Sequence, residues 1–255
     1  DPYRWLENDT SKETADWVSR QNDVTFSYLK GIPYRDAVRA RLQELNDYEK
    51  LGAPFKRGEY YYFYKNSGLQ NQSVLYRKKG ENGTPEVFLD PNTFSKDGTT
   101  TMRSLSFSKD GSLLAFQIAK GGADRAEAVV IRTSDKTLVE DTIRNMKQSG
   151  ISWRGNDGYF INRFAEGLKS NLAARNEYQQ LYYHKLGTPP AQDKVIFGDK
   201  EKRRFVSGFL TEDERYLIIS TSESTTGNEL YVQDLSKPNS PILPIKTGFE
   251  SDQNV

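Results

Sequence analysis

The sequence predicts a mainly β protein: a partial β-propeller of repeated four-stranded units, preceded by a helical arm. Three observations lead there. Apolar periodicity is close to 3.6 from residue 9 to 46 and becomes 2 from Pro54 onward. A strand–turn–strand pattern then recurs near residues 55, 105, 151 and 209, roughly every 50 residues. Hydrophobic residues make up 35% of the 255, but aromatics reach 12%, with 15 Tyr and 13 Phe. Such a composition builds cores from large side chains that strand geometry accommodates.

The arm comes first. Thr10 or Ser11 can cap an opening helix, with Glu13 completing a capping box from Thr10. Trp17, Val18, Gln21, Phe26 and Leu29 give it a loosely amphipathic face. Gly31-Ile32-Pro33 ends that helix, and Pro33 suits the first turn of the next. Ala37, Val38, Arg41, Leu42 and Leu45 supply a second stripe. Two such helices need something to lie against.

The repeats follow. Phe55–Tyr64, Leu105–Phe116, Ile151–Ile161 and Phe209–Ile219 each join an apolar strand to an aromatic or aliphatic one through a tight polar turn, a hairpin pattern. A third strand succeeds each: Ser73–Arg77, Ala128–Arg132, Gln180–His184 and Glu229–Gln233. A weaker fourth closes the unit, as at Pro85–Leu89 and Ile242–Ile245. Groups of four at a fixed period favour propeller blades over a β-sandwich. Residues 1–50 are therefore expected to form the arm, and 51–255 blades one to three with most of a fourth. Two stretches depart from the pattern. The polar segment 166–177 is long for a hairpin loop, and Gly248–Val255 adds no closing strand. The chain reads as truncated.

Bulk properties exclude several function classes. Lys plus Arg (36) balances Asp plus Glu (35), so no net field favours nucleic acid or an anionic membrane. The doublets Lys78-Lys79 and Arg203-Arg204 read as solvated strand ends. With no cysteine, disulfides, thiolate catalysis and Cys-based zinc sites are out. No apolar run is long enough for a membrane span. A soluble, cytoplasmic protein is expected, with the periplasm as alternative.

The residues offer no catalytic constellation. His184, the one histidine, ends an alternating strand and has no motif around it, so a structural or exposed role outweighs a catalytic one. No Gly-x-Ser-x-Gly elbow occurs. Gly121-Gly122 lacks the lysine and helix of a phosphate loop and reads as a hairpin connection. Asp-Gly pairs at 97, 110 and 157 do not follow calcium-loop spacing, and type I′ turns explain them. No cofactor, metal or catalytic site residue is expected, and no substrate-binding residue is assigned.

Several segments carry a resemblance. Asp1-Pro-Tyr-Arg-Trp-Leu-Glu7, Gly68-Leu-Gln-Asn-Gln72 with Val74-Leu-Tyr76, Phe88-Leu-Asp-Pro-Asn92, Phe107-Ser-Lys-Asp-Gly111, and Leu181-Tyr-Tyr-His184 with Leu186-Gly-Thr188 resemble prolyl oligopeptidases, in the family's order and over essentially the whole chain. The resemblance implies a seven-bladed, unclosed propeller covering a C-terminal α/β-hydrolase domain that carries Ser, Asp and His. That domain is absent from this sequence. It further implies a serine endopeptidase, monomeric as the full-length protein, that cuts short proline-containing peptides after proline. Residues 1–50 would pack on the hydrolase domain, the propeller would gate access, and this chain alone would be inactive. The 166–177 loop is a candidate gate element whose polar character predicts mobility. Two positions depart from better-known members: Gln148 stands where some place a substrate-facing aromatic, and Ser222 where they place an arginine that binds the substrate backbone. Neither is carried over. A stand-alone binding propeller is the alternative, and a propeller glycosidase a weaker one.

Overall fold

A computed structural model describes residues 1–140, 142–164 and 178–255. The arm is two helices, α1 (Lys12–Lys30) and α2 (Arg35–Asn46). Ser11 is the cap of α1, its Oγ accepting from the Thr14 N–H at 3.1 Å. Thr14, not Glu13, therefore occupies the third helical position, and the Thr10–Glu13 box does not form. Pro33 lies before the Tyr34 cap of α2 and outside its first turn. Its fixed backbone serves the connection instead.

Four antiparallel sheets follow. The first holds β1 (Lys50–Leu51), β2 (Phe55–Arg57), β3 (Tyr60–Asn66), β4 (Val74–Lys79) and β5 (Glu86–Leu89). The second runs β6 (Thr101–Phe107), β7 (Leu113–Ala119), β8 (Arg125–Arg132) and β9 (Ile143–Lys147). The third runs β10 (Ile151–Arg154), β11 (Gly158–Phe164), β12 (Gln179–Lys185) and β13 (Lys194–Phe197). The fourth holds β14 (Phe205–Leu210), β15 (Tyr216–Ser222), β16 (Glu229–Asp234) and β17 (Leu243–Lys246). Strand β1, which the sequence pattern did not suggest, adds an edge to the first sheet by pairing Leu51 with Lys65.

The second and third sheets are packed between neighbours on both faces, so their central strands are apolar at most positions while keeping period 2. On β7, Leu114 and Phe116 pack with Tyr62, Leu75 and Phe88 of the first unit. Leu113, Ala115 and Ala119 point the other way, against Trp153, Tyr159 and Ile161 of the third. On β11, Phe160 turns from that core into the next one, with Val206, Leu217 and Ile219 of the fourth unit. Small residues on one blade face large ones on its neighbour, which lets consecutive sheets stack closely. The first strands of units two to four adjoin one another: Ser106 Oγ donates to Ile151 O at 2.9 Å, and Leu210 N to Ser152 Oγ at 3.0 Å.

Strand alternation gives the stack two distinct ends. At one, the loops between first and second strands converge. Asn156 Nδ2 donates to Asp110 Oδ2 at 2.7 Å, Gly155 N to Glu214 Oε2 at 2.8 Å, and Lys109 Nζ to Glu212 O at 3.0 Å. The three Asp-Gly pairs do not form the expected type I′ turns. A type I′ turn needs positive φ at both central residues, and Asp97, Asp110 and Asp157 are not positive. Instead Asp110 accepts from Ser112 N, 2.9 Å, and Ser108 Oγ, 2.7 Å, closing a longer loop through its side chain. Gly111 takes φ +74 there because a Cβ would lie 2.7 Å from Gly58 N. The other end carries the connections between units, those between second and third strands, and the arm.

A candidate substrate-gating face at the arm end

The arm joins this end through a fastened linker. Lys50 Nζ donates to Asn46 O at 2.6 Å and to Gly68 O at 2.9 Å. Gly68, at φ +144, sits so close to Asp47 that a Cβ would meet its Oδ1 at 2.2 Å. Beyond that joint the helices lie bare. Val38 (51% exposed), Leu42 and Leu45 line one face of α2, and Phe26 and Tyr28 are exposed on α1. Val38 and Leu42 with Leu69 border an open apolar cleft of about 480 Å³. Trp17 is partly covered by Trp5, edge to face at 6.2 Å.

Beside the arm, a layer of buried and half-buried amides and one half-buried ion pair stitches the units together. Gln72 Nε2 donates to Thr100 O, 2.7 Å, joining units one and two. Gln117 Nε2 donates to Ser149 O, 2.7 Å, joining two and three. Gln179 Nε2 donates to Lys147 O, 2.6 Å, while its Oε1 accepts from Val206 N, 3.0 Å, so it touches units two and four from unit three. In unit four, Glu229 stands at the start of the third strand, as Gln179 does in unit three. Arg203 Nε donates to it at 2.8 Å, Tyr231 OH at 2.9 Å, Thr221 Oγ1 at 3.1 Å, and Gly248 N at 3.2 Å. Burial pushes the Glu229 carboxyl up, but these donors outweigh it and hold the group below its ordinary value. Arg203 is therefore a structural ion-pair partner, not the solvated strand end its Arg-Arg doublet suggested.

The positions singled out from sequence fall as follows. Gln148 lies in the connection leaving β9, at φ +50, with its carbonyl accepting from Asn162 Nδ2 at 3.0 Å. Ser222 ends β15, paired with Phe205. Both are at the arm end. The 166–177 loop, the candidate gate element, lies outside the described residues. Gly121 and Gly122, both at positive φ, form the β7–β8 connection. His184 is elsewhere, near the opposite end, and fully buried. Its Nδ1 lies 2.6 Å from Asp193 Oδ1 and its Nε2 3.0 Å from Glu140 Oε2. Asp193 also holds Arg163 at 2.8 Å, and Glu140 accepts from Tyr159 OH at 2.6 Å. With both ring nitrogens committed to carboxylates, this histidine has no lone pair to offer a nucleophile. No sequence signal marks Glu140 and Asp193 as its partners, because both come from loops.

Consecutive antiparallel sheets of four strands, the first with a fifth, stacked face to face behind a helical arm define the propeller class of protein. Chain similarity makes this specific. The family model for the prolyl oligopeptidase N-terminal β-propeller domain matches residues 1–255, and the chain belongs to that family. It is 46% identical over 254 residues to a prolyl endopeptidase of Elizabethkingia miricola, covering 99% of this chain and 36% of that protein. It thus spans little more than a third of the length of that relative. A solved structure from a study of two prolyl endopeptidases superposes with TM-score 0.86 at 28% identity, over 97% of this chain and 37% of that one. Prolyl oligopeptidase B of Galerina marginata, 26% identical, gives 0.84 when bound to a 35-residue substrate and 0.72 as the apo protein, over 100% of this chain and 38–39% of theirs.

Proposed function

We propose that this chain is the gating portion of a serine endopeptidase that hydrolyses short peptides after proline. The Ser, Asp and His of the reaction would come from a C-terminal α/β-hydrolase domain of the same protein. The observation that carries this reading is the bare apolar stripe of the arm, beside an arm-end face that offers hydrogen-bonding groups but no nucleophile–base pair among the described residues. A helix with one exposed apolar stripe requires a covering surface. A domain seated against the arm would face the arm end of the blades, and substrate held between the two would be screened from folded proteins by the blades themselves.

The two states of the Galerina protein support gating by movement. The substrate-bound and apo states superpose on this chain to different extents, 0.84 and 0.72, so the matched region differs between them. An arm that travels with a hydrolase domain, away from the blades, opens the face described above. The bound geometry resembles this chain more closely.

Labelling with a serine-reactive fluorophosphonate tests the assignment. The full-length protein is expected to label and to cut a short peptide after proline. The 255-residue chain is expected to do neither. Labelling of this chain itself would place a nucleophile within it and overturn the reading.

A further inference from the structure

At the end opposite the arm, units three and four part into a crevice of about 290 Å³. Its floor is apolar and aromatic: Phe160 and Tyr183, whose ring centres lie 5.2 Å apart, with Leu235 beside them. Its rim is cationic, carrying Arg154, Lys194 and Lys237. No carboxylate lines it, although acids and bases are balanced over the chain as a whole. Lys237 is neutralised by Asp234 at 3.2 Å. Arg154 lies over the Tyr183 ring at 6.0 Å, and neither it nor Lys194 has an ion-pair partner among the described residues.

We propose that this crevice binds a small organic anion, a phosphate or carboxylate carried on a single ring or short apolar body. Charge selects the anion, because two cations without an ion-pair partner among the described residues line walls that carry no carboxylate. Size selects a small ligand, since the volume lies at the lower limit of about 300 Å³ for small-molecule sites. The floor selects an apolar body, because displacing water from Phe160, Tyr183 and Leu235 supplies binding that an inorganic ion cannot gain. Both walls and the rim come from this chain, and the crevice lies away from the face assigned to substrate gating. Occupancy therefore leaves peptide cleavage itself untouched.

Saturation-transfer NMR and calorimetry on the full-length protein test this, with phenyl phosphate as probe. Inorganic phosphate and benzyl alcohol isolate the charged and apolar parts. Phenyl phosphate is expected to bind saturably, and the R154Q/K194Q double variant to weaken it about tenfold, the loss of two charge-assisted contacts of modest strength. A variant at two exposed lysines of the arm end, K96Q/K200Q, is expected to bind as the parent does. Peptidase activity is expected to be equal in the parent and the R154Q/K194Q variant. Inorganic phosphate binding as tightly as phenyl phosphate would show unspecific anion attraction and overturn the proposal. So would equal weakening by both double variants, or no binding of the probe.

Discussion

His184 and Glu140 belong to different blades and meet through one ring nitrogen, 3.0 Å from the carboxylate. The other nitrogen lies 2.6 Å from Asp193. An imidazole held between two buried carboxylates is held as the cation. Burial works against that charge, but the Asp193 and Glu140 contacts outweigh it and push the group up to about 9. A raised folded-state value contributes stability that is complete below the unfolded value of about 6.5 and is lost as pH rises through 9. Stability of this region is therefore expected to fall between pH 6.5 and 9, by at most about 3 kcal/mol. Urea unfolding across that range should show the decline, and H184Q should flatten it while lowering stability at pH 6. A parent profile without slope would refute the bridging cation.

The contrast between this cluster and the strands shows what was legible in the sequence. The apolar run Tyr159–Phe160–Ile161 placed a strand, and the recurrence of hairpins placed the units, because burial imposes a local period. His184 was visible as a strand-end histidine, but its partners Glu140 and Asp193 sit 44 and 9 residues away in connections. Nothing local marks two acids among 35 as buried. The same holds for Arg203 and Glu229, separated by 26 residues. Gln117 and Gln179 carry no mark in the sequence because an amide in a strand gives no signal until the neighbouring unit is placed against it. The turns were misread at Asp110 because Asp-Gly suits several loop types, and the closing bonds come from Ser108, Ser112 and Asn156.

Gln179 is 1% exposed and bridges three units. Replacing it with Ala leaves Val206 N unpaired in the interior and takes one of two donors from Lys147 O, whose other is Ser149 Oγ at 3.2 Å. An orphaned buried group costs about 1–3 kcal/mol, so Q179A is expected to lower stability by about that much with an unchanged denaturant slope. Q179E keeps the acceptor for Val206 but opposes the Lys147 carbonyl, and is expected to be destabilising too. Denaturant titration decides, and a loss below half a kcal/mol in Q179A would show that these bonds stitch nothing.

Gly227 adopts φ +77 beneath the 248–253 segment, where a Cβ would meet Phe249 O at 1.9 Å. Its N–H donates to Asp252 Oδ1 at 2.7 Å, and Asn228 Nδ2 donates to Gln253 O at 3.0 Å. G227A adds both backbone strain and a clash that only movement of this segment relieves. Hydrogen exchange should quicken at 249–253, and at Gly248, whose N–H otherwise bonds Glu229. Unchanged protection there would mean the segment is anchored by other contacts.

Val38 and Leu42 are more than half exposed on α2, yet they form an apolar stripe with an open cleft of about 480 Å³ beside it. If the stripe is seated against another domain in the whole protein, its residues are buried there and carry interface energy. A carboxylate introduced into such an interface is desolvated without a partner, a cost of several kcal/mol. V38D/L42D is therefore expected to leave the thermal midpoint of the 255-residue chain nearly unchanged. In the full-length protein the same pair should lower the midpoint by several degrees and raise exchange along the arm. The contrast between the two lengths is what identifies a covering domain, because a purely intrinsic helix effect would appear in both. Equal, small shifts in the two would instead mean that the stripe faces solvent throughout, and the arm could then not couple the blades to a moving domain.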